Sequence, residues 1–161
     1  MKLLTEVLQM AKEGKLINSS HVGKTLNALS NPVGLKLFIL VATASLAGAS
    51  RTVTSEFLQS QIRTTRKQFY SNMSRLVNDA GLVSRKRGRY VLSNYGKVVF
   101  HSLNLISRAA KCFWKLEALD KDELSSSGIP PEQIMELGAR LIDDKDIFGI
   151  IFESDNEKGK A

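Results

Sequence analysis

The densest group of chemically capable side chains lies between Arg63 and Arg89. Lys67, Gln68, Ser71, Asn72 and Arg75 recur at intervals of one and three residues, a spacing that gathers side chains on one side of a helix. All five can hydrogen-bond outward. Lys and Arg match the acceptors of a guanine edge, and Gln and Asn match the donor and acceptor of adenine. Just ahead stand Arg63, Thr64, Thr65 and Arg66. Hydroxyls beside a helix N-terminus suit a phosphate. Arg66 falls nearer the core side of the helical wheel and reaches a phosphate over the helix end. A second group, Arg85, Lys86, Arg87 and Arg89, puts four cations into five positions. Like charges repel across so tight a turn, and a phosphate backbone or a minor groove relieves that repulsion. These residues point to recognition of a polyanion rather than to bond making.

Other chemistry finds little support. His21 and His101 are the only histidines, and neither has a Cys or His at metal-ligand spacing. Cys112 is alone, which excludes a disulfide within the chain and suits a reducing compartment. It falls in an apolar stripe, as a buried and inert thiol does. Gly81 and Gly88 punctuate elements and do not form a phosphate loop. Asp143, Asp144 and Asp146 lack the Gly and the terminal Glu of a calcium loop. The expectation is a protein that is not an enzyme and uses no metal or cofactor.

The elements that position the cations are marked by local signals. Leu3, Leu4, Val7, Leu8 and Ala11 have helical spacing, and a second short helix covers His21–Leu29. Asn31-Pro32 opens a helix to about Ala47, apolar nearly all round and so the central core element. Gly48 to Thr52 breaks it. Thr54 caps a short helix, Ser55–Ile62, with Phe57, Leu58 and Ile62 turned inward. Thr65 and Gln68 have the spacing of a capping box, so a new helix begins at Arg66. On its wheel Phe69, Leu76, Val77 and Ala80 fall within about 60° of Met73. Tyr70 lies at the edge of that arc, a core tyrosine first and a phosphate contact second. Gly81 ends the helix. Leu82–Arg85 and Arg89–Ser93 read as strands around the turn Lys86-Arg87-Gly88.

Asn94–Leu119 reads as one long helix with two apolar stripes. Val99, Leu103, Ile106, Ala110 and Phe113 form one, and Val98, Leu105, Ala109, Cys112 and Leu116 form the other. One stripe packs on the parent domain, and a second copy of the same helix is the simplest cover for the first. Pro130-Pro131 opens a last helix with Ile134, Leu137 and Leu141 on one side. Ile147–Phe152 is a short hydrophobic cluster, and the chain from Glu153 has the composition of disorder.

Charge follows the same division. The net charge is +7. Arg51 to Lys97 carries ten Lys/Arg against two acids, whereas Glu117 to Ala161 carries five against twelve. A basic stripe confined to one supersecondary unit implies a polyanion partner. The longest apolar run, Leu37 to Ala49, is too short to span a bilayer, and no small-residue cleavage site follows an apolar N-terminal stretch. The expectation is a cytoplasmic protein with no membrane contact.

Helix, turn, capped helix and basic hairpin follow one another in the order of a winged helix-turn-helix. The run from Leu26 to Val41, LNALSNPVGLKLFILV, resembles the first helices of ArsR-like repressors. Thr65 to Val99 resembles the archaeal branch of winged-helix regulators, most closely at Arg66–Ser71, Ala80-Gly81-Leu82-Val83 and Gly96-Lys97-Val98-Val99. The likeness covers residues 26–119. It implies a cytoplasmic, homodimeric regulator that binds double-stranded DNA. The chain departs from metal-sensing members, lacking their Cys pair and their His/Asp cluster.

The expected fold is mainly α with a small β-hairpin, a winged helix-turn-helix with a long C-terminal dimerisation helix. Residues 1–30 supply helices that pack on the domain, 31–97 the DNA-binding domain, 98–120 the dimerisation helix, and 121–161 an acidic, partly disordered appendage. That appendage is a candidate for docking protein partners, or for competing with DNA for the basic hairpin. Two other readings stay open: a winged-helix protein-interaction module, and an architectural or RNA-binding protein of weak sequence preference.

Overall fold

The computed structural model describes residues 19–47, 53–120 and 128–152. The helix expected at Leu3–Ala11, the break at Gly48–Thr52 and the chain from Glu153 lie outside them. The chain is mostly helical, with a small three-stranded antiparallel sheet. It divides into two compact units, Met1–Phe100 and His101–Ala161.

The first unit is built on α1 (Ser19–Ser30) and α2 (Pro32–Leu46). Asn31 separates them and caps α2, its Oδ1 accepting from Val33 N at 2.9 Å and Gly34 N at 3.4 Å. Leu37, Phe38, Val41 and Ala42 are fully buried. Their spacing of one, four and five residues sets them on one face. The opposite face is less covered than an all-round apolar helix implies: Ile39 and Leu46 are exposed.

β1 (Val53–Thr54) leads directly into α3 (Ser55–Gln61). Thr54 Oγ1 accepts from Phe57 N at 3.3 Å, the expected cap. Leu58 and Ile62 are buried, but Phe57 is 49% exposed rather than turned inward. Its ring lines an open apolar groove with Leu40, Ala44 and Val53.

After the turn Arg63-Thr64-Thr65, α4 (Arg66–Ser74) begins. It runs on through one wider π turn, Arg75–Asp79, in which Ala80 N bonds Arg75 O at 2.9 Å. Gly81, at φ +63°, then reverses the chain, and Leu82 N closes back on Leu76 O at 2.9 Å.

β2 (Val83–Lys86) and β3 (Arg89–Leu92) pair antiparallel, with Val83 opposite Leu92 and Lys86 opposite Arg89. β3 is the central strand, because β1 pairs with it through Val53–Tyr90 and Thr54–Arg89. That third strand was not legible in the sequence: two residues are too few for any alternation to show.

Phe69, Met73, Leu76, Leu82, Val83 and Tyr90 join the α2 face in a single core. Each large side chain buried there contributes about 2 kcal/mol. Ser45 Oγ accepts from Leu92 N at 3.0 Å and ties the sheet to α2.

α5 (Asn94–Lys111) starts from Ser93. The Ser93 hydroxyl accepts from Gly96 N at 2.8 Å and donates to Gly81 O at 2.6 Å. A Cβ on Gly96 would collide with the Leu82 carbonyl oxygen, so only glycine allows this close approach. Tyr95 reaches back to α1, its hydroxyl 3.0 Å from Thr25 Oγ1 and its ring 5.0 Å from that of His21.

The long helix expected over Asn94–Leu119 is two. α5 ends at Lys111, and α6 (Phe113–Asp120) restarts after Cys112. The cause is a tightened turn. Cys112 N bonds Ala109 O at 3.1 Å, and Lys115 N bonds Cys112 O at 2.9 Å.

Among the described residues of the second unit, α7 (Pro131–Leu141) and α8 (Lys145–Phe152) follow, α8 covering the Ile147–Phe152 cluster. No single helix among the described residues is long and apolar enough to cross a membrane.

Candidate nucleic-acid interface

α4 presents its polar side chains because its other side is committed to the core. Phe69, Met73 and Leu76 are buried, whereas Arg66, Lys67, Gln68, Ser71 and Arg75 are exposed. Asn72 is the exception to the expected face. It is only 6% exposed, and its Nδ2 donates to Gln68 O at 2.8 Å. It turns toward α2, where a Cβ on Gly34 would lie 3.3 Å from its Oδ1. The glycine leaves room for the amide, and Asn72 does not stand with the outward set.

The helix start is occupied by its own capping. Thr65 Oγ1 accepts from Gln68 N at 3.2 Å. Gln68 Oε1 accepts from Thr65 N at 3.3 Å and from the Thr64 hydroxyl at 2.9 Å. Both lone pairs of that oxygen are then in use. Gln68 holds the helix entry and has no acceptor left for a two-point contact with adenine. Lys67, Ser71 and Arg75 remain as the outward set, with Arg63 and Arg66 beside the helix start.

The hairpin gathers its cations by register. Arg85 lies opposite Tyr90 and Lys86 opposite Arg89. Alternation sends Arg85 toward the side of the buried Tyr90 and sends Lys86 and Arg89 to the other side. Arg87 and Gly88 form the two-residue turn, at φ +50° and +76°. Both signs are those of a type I′ turn, which matches the twist of the flanking strands. Arg85, Lys86, Arg87 and Arg89 are all exposed. No carboxylate among the described residues pairs with Arg63, Lys67, Arg75, Arg85, Lys86 or Arg87.

Tyr70 is 47% exposed, on the flank of α4 and not in the core. With Ser74 and Asn78 it edges a cleft that Arg85 and Tyr90 close from the hairpin side. The Asn78 amide donates to Ser74 Oγ at 3.0 Å. The sequence held the signal, a Tyr-Ser-Asn series at steps of four, but the wheel had set Tyr70 at the margin of the core.

Of the proposed dimer residues, Val99 and Leu103 on α5 are half-buried, and Ile106 and Ala110 are exposed. Phe113 is 64% exposed and belongs to α6. Trp114, its neighbour, is 62% exposed and was missed because it sits outside both stripes.

The second unit also holds an ion cluster that sequence reasoning did not find. Arg108 bonds Asp144 at 2.8 Å and Asp146 at 2.7 Å, and Lys115 bonds Asp143 at 3.3 Å. Asp144 Oδ1 also accepts from Asp146 N at 3.1 Å and Ile147 N at 3.3 Å, which caps α8. The hydrogen bond to Asp146, and then the Asp144 charge, hold the Arg108 guanidinium above its ordinary pKa.

Comparison with protein-family models, with curated proteins and with solved structures finds no match.

Proposed function

We propose that this protein is a DNA-binding transcription regulator of winged-helix type. α4 enters the major groove and the β2–β3 hairpin, the wing, lies on the backbone or in the minor groove. One observation carries the reading. Arg85, Lys86 and Arg87 stand exposed on a tight hairpin beside the exposed cations of α4, and no carboxylate among the described residues neutralises them. Clustered cations without counter-charges repel one another, and a phosphate backbone is the partner that removes the repulsion. Lys67, Ser71 and Arg75 then supply contacts to base edges, with lysine and arginine suited to guanine.

The protein acts as a homodimer in this reading. Support comes from large apolar side chains left exposed on α5 and α6, among them Ile106, Phe113 and Trp114. A two-fold dimer presents two copies of α4 to one duplex and calls for a palindromic site.

The test is titration of duplex DNA at several salt concentrations. The logarithm of the affinity falls linearly with the logarithm of salt, and Arg87→Ala flattens that slope. An unchanged slope in the variant removes the hairpin from the interface.

A further inference from the structure

We infer that the cleft between α4 and the hairpin is a seat for one phosphodiester of the bound duplex. This rests on the DNA-binding reading and assigns it a specific site. The cleft measures about 240 Å³, below the roughly 300–1,000 Å³ of sites that enclose a small organic ligand. Met73 and Val77 form its apolar floor, and Tyr70, Ser74, Asn78 and Arg85 its polar rim. No carboxylate among the described residues lines it. Its chemistry is that of a small anion site.

Three donors converge there. The Arg85 guanidinium lies over the Tyr90 ring, 5.8 Å from its centroid. Tyr90 is 3% exposed and is paired on both sides, to Val53 and to Arg85. A fixed ring under a planar cation reduces the freedom that the arginine loses on binding, and the fork of a guanidinium matches two phosphate oxygens. Ser74 Oγ accepts from the Asn78 amide, so the hydroxyl proton is left to donate elsewhere. Ser74 and Asn78 stand four residues apart, so one helical turn sets their side chains side by side. Tyr70, 47% exposed, carries the third donor in its hydroxyl.

Duplex geometry supplies the occupant. Adjacent major and minor grooves are separated by a single phosphate ridge. A helix in the one and a hairpin in the other must straddle that ridge, and the cleft between them is where it passes. Phosphate contacts of this kind set register without reading sequence.

The experiment replaces single phosphates of a bound duplex by neutral methylphosphonates and measures affinity for the full-length protein. One position per half-site should weaken wild-type binding roughly tenfold or more, the scale of a charged hydrogen bond. The same replacement should cost Arg85→Gln nothing further. Arg85→Gln should also lower the salt slope by about 0.9, one phosphate contact, while Arg85→Lys keeps it. Tyr70→Phe should weaken binding equally on all sequences, with the melting temperature unchanged.

Wild-type binding together with an unaltered slope in Arg85→Gln overturns the seat and leaves the DNA reading standing. Failure of the wild type to bind any duplex overturns both.

Discussion

Arg87 holds a backbone conformation that its side chain disfavours. At φ +50° a non-glycine residue pays about 1 kcal/mol or more, and Asn or Gly would fill the same turn position more easily. The turn itself does not call for an arginine, and the proposed phosphate contact gives its charge a role. Arg87→Asn should therefore raise the thermal stability, by up to about 1 kcal/mol, while weakening DNA binding and its salt dependence. A variant that binds as the wild type does would leave the strain without a function. Arg75 tests the other contact. It stands exposed on α4, and Arg75→Ala should weaken binding to the preferred site by about 1–3 kcal/mol while leaving random DNA nearly unchanged. Competition titrations with specific and random duplexes read that difference directly.

Single elements show where sequence reading succeeds. α4 was legible at both ends because its signals are local: the Thr65–Gln68 box at the start and Gly81 at positive φ beyond the end. The hairpin was legible because its turn needs Gly88. The same capping box predicts that Gln68→Ala lowers stability by about 0.5–1 kcal/mol, seen as a lower denaturation midpoint. Base preference should not change, since the Gln68 oxygen already accepts two bonds. What failed was decided at a distance. Spacing groups Asn72 with Lys67, Gln68, Ser71 and Arg75, yet its side chain is buried against α2, with Gly34 close by. Phe57 was turned inward by its spacing, yet β1 and α2 leave its ring on an open groove. The break at Cys112 carries no Gly or Pro to announce it, so periodicity ran through it.

At the scale of the whole chain, opposite charge separates into different units. Among the described acids of the second unit, Glu136, Asp143, Asp144 and Asp146 are paired within that unit. Asp144 also caps α8, accepting from Asp146 N and Ile147 N. Arg108 and Asp144 lie 36 residues apart in sequence, so no local pattern could join them. A pKa raised in the folded state gives stability that is complete below the unfolded value and lost as pH rises through the folded one. For Arg108 that window is strongly alkaline, and its pairing adds no pH dependence of its own near neutrality.

The exposed Ile106, Phe113 and Trp114 carry the dimer proposal. Phe113→Glu should shift sedimentation equilibrium toward monomer and weaken operator binding, without lowering the helical content. A variant that stays dimeric would place the interface elsewhere. The most direct test of the whole account is selection from a random duplex pool, followed by sequencing, at low and at high salt. The account predicts an enriched palindrome whose binding weakens steeply as salt rises. An absence of binding at both salt concentrations, the low one included, would contradict it.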